Sequence, residues 1–152
     1  MRSPTRYMAF SVALLLAGCS TSDGLEEQEF ADFGRTVAVP HPVGAYEYEF
    51  RRGNEADVYY RLEEVERSEP GRVDFTLVVE VPALGRNFGF GGLEVACEVQ
   101  GEITEAETDA RLGEAFDGLY EFPMRCAVPE GAVFLIVTVN HHDQTVEFAG
   151  EI

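Results

Sequence analysis

From Thr36 onward the chain alternates apolar and polar residues with a period of two, the repeat of a half-buried strand. Tyr46, Tyr48 and Phe50 alternate with Glu47 and Glu49, and Gly53-Asn54 follows as a turn. Val58, Tyr60 and Leu62 alternate with charged neighbours. Ser68-Glu69-Pro70-Gly71 reads as a second turn. Val73, Phe75, Leu77, Val79 and Val81 then share one face, opposite Asp74, Thr76 and Glu80, until Pro82 stops the strand. Leu93, Val95, Cys97 and Val99 form another such face, and Tyr120, Phe122, Met124, Cys126 and Val128 form the next. Pro129-Glu130-Gly131 turns the chain. Ala132 to Val139 is continuously apolar, which predicts a central strand buried on both faces. Val146 and Phe148 predict a short final strand.

These elements predict an all-β fold: an antiparallel β-sandwich of about eight strands, in two hairpin-linked meanders joined through the Leu93 strand. The segment Asp57–Arg67 is the one rival to an all-β reading. Its Val58, Leu62 and Val65 also fit helical spacing, and Glu is a good helix former. Tyr59 and Tyr60 favour strand there, as do the turns on either side. Two stretches break the alternation. Ala83 to Gly92 is rich in glycine and carries Phe88 and Phe90. Glu102 to Gly118 is acidic, with room for one short helical turn around Ala106–Leu112. Long connections of this kind often carry binding residues.

The first eighteen residues stand apart from the fold. Arg2 and Arg6 precede an apolar run from Met8 to Ala17, interrupted only by Ser11. About ten residues is half of what a membrane-spanning helix needs. Leu16-Ala17-Gly18-Cys19 closes the run, and the whole of residues 1–19 resembles the signal and lipobox of a bacterial lipoprotein. The resemblance implies cleavage before Cys19, a diacylglyceryl thioether on its sulfur and acylation of the new α-amine. Two or more acyl chains make such anchoring stable, at about 0.8 kcal/mol for each buried CH₂. Ser20, next in line, favours the outer membrane under the sorting rule that accompanies the resemblance. The organisation expected is a cleaved signal over 1–18, a lipidated Cys19 with a flexible tether over 19–35, and one β-sandwich domain over 36–152. Fifteen residues of flexible coil reach about 20 Å. Phe30 and Phe33 offer the alternative that a docked segment begins inside the tether.

Charge then limits the partners. Removal of residues 1–18 takes away Arg2 and Arg6 and no acid, so 11 cations against 28 acids become 9 against 28, and the formal charge moves from −17 to −19. That surface repels nucleic acid and anionic headgroups, so neither nucleic-acid binding nor a polybasic lipid contact is expected. A high-salt habitat and an ordinary solvated acidic surface both account for the excess.

The export signal implies an oxidising compartment, and with Cys19 lipidated, Cys97 and Cys126 are left as a pair to form a disulfide. The sandwich with a cysteine pair invites comparison with immunoglobulin-like domains, in architecture alone. The chain has no Trp to pack on the bridge, and Met124 rather than Tyr stands two residues before Cys126.

Catalytic residues are few. Lys is absent, and Ser20, Ser22 and Ser68, the serines beyond the signal, lie in no nucleophile-elbow context. In Asn140-His141-His142-Asp143 two imidazoles and a carboxylate are candidate metal ligands, with His41 as a third imidazole. The same residues also suit a polar hairpin turn. Glu102, Glu105, Glu107, Asp109, Glu114 and Asp117 could offer oxygen ligands to Ca²⁺, but without EF-hand spacing a solvated loop is the simpler reading. Phe88 and Phe90 either present rings to a ligand or anchor their loop in the core. The expectation is a membrane-anchored envelope lipoprotein without a cofactor, a non-catalytic interaction or accessory module. The alternative is a metal-binding envelope protein or metal-dependent enzyme using the His141/His142/Asp143 region. Exposed Phe88 and Phe90 would favour ligand binding, buried loops an accessory role, and His41 close to His141 or His142 a metal.

Overall fold

The computed structural model describes residues 29–43 and 55–152. The expected strand at Tyr46–Phe50, the Gly53-Asn54 turn and Cys19 lie outside the described residues. Nine strands are formed, and no helix is present among the described residues. In chain order they are β1 (Ala31–Asp32), β2 (Val37–Pro42), β3 (Glu55–Glu69), β4 (Arg72–Val81), β5 (Glu94–Val99), β6 (Glu102–Glu105), β7 (Gly118–Ala127), β8 (Phe134–His141) and β9 (Gln144–Glu151).

Two sheets face each other. One has the order β1-β9-β8-β5-β6, the other β2-β3-β4-β7. Every strand pair within them is antiparallel except β1 with β9. The expected meanders are therefore rearranged: the chain leaves the second sheet after β4, returns to it for β7, and ends in the first. Period-two alternation decides which side chains meet. Val58, Tyr60 and Leu62 of β3, Val73, Phe75, Leu77 and Val79 of β4, Phe122, Met124 and Cys126 of β7, and Val95, Cys97 and Val99 of β5 are all buried in one shared core. Asp57–Arg67 is strand throughout, with a bulge where Glu64 adopts φ +54°.

Four expectations are corrected. Ala132 to Val139 is not buried on both faces. Leu135, Val137 and Val139 point inward, whereas Val133 is 70% exposed and Phe134 49%. Hydrophobicity on the outer face of a sandwich strand mimics the run of a doubly buried one. The helical turn around Ala106–Leu112 is absent. Instead Glu102–Glu105 pairs with β5 through a two-residue turn in which Gln100 and Gly101 both have positive φ, the geometry of a type I′ hairpin. Residues 31–34 are docked on the sandwich and do not belong to a flexible tether. Ala31 and Asp32 pair with Phe148 and Ala149, and Gly34 donates its amide to the Leu62 carbonyl at 2.8 Å, so the docked segment is the alternative realised. The fourth correction is Val78, which is buried although it stands on the Thr76 and Glu80 side of β4.

Cys97 on β5 and Cys126 on β7 are bonded, with Cα atoms 6.3 Å apart. The bridge ties one sheet to the other. At the edge where β6 meets β7, Glu107 and Arg125 exchange two backbone hydrogen bonds of 2.9 Å. The two irregular stretches also join. Phe88 and Phe90 donate their amides to the carbonyls of Ala115 and Gly113 at 2.9 and 2.7 Å, and the Ala115 amide donates to Asn87 Oδ1 at 3.2 Å. These bonds satisfy loop backbone that would otherwise be buried without partners.

Candidate functional site: a histidine and aromatic corner

The end of the sandwich away from the disulfide collects three histidines. His41 lies near the end of β2 and is 2% exposed, and His141 ends β8 at the same exposure. His142 and Asp143 form the two-residue turn between β8 and β9, with φ +48° and +60°. Adjacent residues in a strand would send their side chains to opposite faces. His142 escapes that rule because it sits in a type I′ turn, whose left-handed backbone swings its ring back beside His141. The two ring centroids are 4.3 Å apart, and His41 is 6.2 Å from His142.

Phe88 and Phe90 fill the space between them. Both are buried, at 2% and 1% exposure. Phe88 meets His41 and His141 edge-on at 5.0 and 4.6 Å, while Phe90 stacks on His141 at 5.3 Å. Phe90 also touches Tyr120 and Phe122 of β7 at 4.9 and 4.8 Å. These rings anchor their loop rather than face solvent. The glycine spacing that suggested a ligand-presenting loop instead lets the chain fold back. Gly89 has φ +66°, and its carbonyl turns toward the histidines.

Hydrogen bonds assign the tautomers. A carbonyl can only accept, so His141 Nε2–H donates to the Gly89 carbonyl at 2.8 Å. Its Nδ1 then accepts from the Tyr60 hydroxyl at 3.0 Å. His142 Nε2–H donates to the carbonyls of Phe88 and Gly89. His41 Nε2 is buried with no hydrogen-bond partner among the described residues. Burial is the main cause that lowers both His41 and His141 to about 4. The neighbouring His142 and Arg86 push His41 further down, whereas the Gly89 carbonyl offsets part of the effect at His141. Burial raises the Tyr60 phenol, which keeps its proton for His141.

The sequence candidates thus divide. His41, His141 and His142 do converge, the juxtaposition that would favour a metal. Both nitrogens of His141 and Nε2 of His142 are, however, bonded to protein groups. Among the described residues no group of three His, Cys, Asp or Glu side chains is placed to hold a metal ion. Asp143 is an exposed turn residue. In the acidic stretch, Asp109 grips Arg125 Nη2 with both carboxylate oxygens at 3.0 Å, and Glu107 reaches Arg125 Nε at 3.3 Å. Those two carboxylates serve an internal ion pair. Ser68 accepts from Arg72 Nε at 3.1 Å on the exposed end of β3. Tyr60, Asn87 and Ala115 are members of this corner that the sequence did not single out. Tyr60 lay in the β3 alternation as a core residue, and nothing local marks the other two. No helix among the described residues is long and apolar enough to cross a membrane. No family model matches this chain, and neither a curated protein nor a solved structure matches it.

Proposed function

We propose that this chain is an envelope lipoprotein whose β-sandwich is a non-catalytic accessory or interaction module held at a membrane by Cys19. The Cys97–Cys126 bridge between the two sheets carries the reading. Disulfides of this kind belong to oxidising compartments, where an exported chain folds, and the Leu16-Ala17-Gly18-Cys19 run supplies the export and the anchor. Burial of Phe88 and Phe90 favours, within that reading, an accessory role over ligand capture by their loop. Transfer to the outer membrane rests on Ser20 alone.

The test is fractionation of cells producing the native chain and Cys19→Ser. The native chain should sediment with membranes, while the variant is released or accumulates as precursor. Equal membrane partition with normal maturation would overturn the anchor. The metal-binding alternative has its own test. Calorimetric titration of the folded domain with Zn²⁺ would favour it on stoichiometric binding that His41→Ala abolishes.

A further inference from the structure

Three imidazoles crowd one corner, and two of them reach the same loop carbonyl. His141 and His142 both bond Gly89, His142 also bonds Phe88, and the His41 ring packs edge-on against Phe88. Four separate pieces of chain meet here: β2, β3, the 86–92 loop and the β8–β9 turn. The contacts of His41 and His141 suit neutral rings. Nδ1 of His141 accepts a proton-bearing hydroxyl, and Nε2 of His41 has no hydrogen-bond partner among the described residues to share a positive charge. Arg86 and His142 face His41, and His41, His142 and Tyr60 face His141. The carboxylates of Glu94 and Asp143 border the outer hollow beside the turn and are exposed. The disulfide lies far from the corner. Cys97 pairs across the sheet with Val137, four positions back along β8 from His141, and Cys126 is six positions along β7 from Tyr120. At about 3.3 Å per residue that is on the order of 13 to 20 Å.

We propose that His41 and His141 form an acid-released latch: as neutral rings they pin the 86–92 loop and the end of β8 to the sandwich, beside the His142 bond to the same loop, and their protonation frees this corner while the disulfide-tied core stays folded. The latch is a property of the domain and does not depend on the anchor. Its sign follows from linkage. His41 and His141 ionise near 4 when latched, and near the ordinary 6.5 once the corner opens and admits water. The open state therefore binds more protons between those values, and closure, complete above 6.5, weakens as pH falls toward 4. Each histidine should favour opening by about 25-fold between pH 7.5 and pH 5, and the two together by several hundred-fold.

Hydrogen exchange reads this directly, because the Phe88 and Phe90 amides bond across the two loops. Corrected for intrinsic rates, their protection should fall several hundred-fold from pH 7.5 to pH 5. The amides of Val79 and Val137 should keep theirs. In His41→Phe, which keeps a ring against Phe88, the fall should shrink to about 25-fold. Should that variant fail to fold, NMR titration of the native histidines decides: His41 and His141 should remain neutral at pH 6. Protection at Phe88 and Phe90 that ignores pH, equal loss at Val137, an unchanged pH dependence in His41→Phe, or ordinary titration near 6.5 would each overturn the latch.

Discussion

Single residues set the corner's geometry through their backbone as much as through their side chains. His142 and Asp143 hold positive φ, a conformation that costs ordinary residues about 1–2 kcal/mol and that Asp tolerates better than most. That conformation brings two adjacent histidine rings together, which strand alternation forbids. The pair in the sequence was legible, but its convergence depended on a turn type that His-Asp does not advertise. Gly150 is a second such residue. A Cβ there would lie 2.6 Å from the Phe33 ring, which packs beside β9 where β1 joins the sheet. Gly150→Ala should therefore destabilise the domain by about 1–3 kcal/mol through overpacking. The measurement is a shift of the urea midpoint at constant slope. An unchanged midpoint would mean that the Phe33 ring moves aside at no cost, and that the N-terminal strand is only loosely docked.

At the scale of elements, the disulfide joins β5 of one sheet to β7 of the other. It closes a sequence separation of 29 residues, for which the chain-entropy account gives about 3–4 kcal/mol. Cys97→Ala/Cys126→Ala should lose that amount by equilibrium denaturation, and a loss below about 1 kcal/mol would contradict a stapling role. Strands with one buried and one wet face were readable from their alternation: β3, β4, β5 and β7 lie where their patterns place them. The elements that escaped do so for definite reasons. β6 is four residues long with Ile103 facing solvent at 67% exposure, so its hydrophobic pattern carries no inward period. β1 has two residues, and its pairing with β9 is set across the whole chain. The exposed Val133 and Phe134 made β8 look buried on both faces. Strand order is least legible of all, because alternation says which face is buried but not which neighbour it meets.

For the whole molecule, two ends of the sequence speak to different questions. Residues 36–152 supply a core of Val, Leu and Phe, and a surface whose acids outnumber its arginines. An acidic surface of that kind disfavours contact with other polyanions. Under the proposed function, attachment falls to Cys19. Two acyl chains there would hold an acidic sandwich at a surface it would otherwise avoid. Intact-mass and N-terminal peptide analysis of the protein purified from membranes of producing cells tests this most directly. The account predicts a chain that begins at Cys19, carries a diacylglyceryl group on that sulfur and contains the Cys97–Cys126 bond. A chain that still begins at Met1, or one cut elsewhere with an unmodified Cys19, would contradict it.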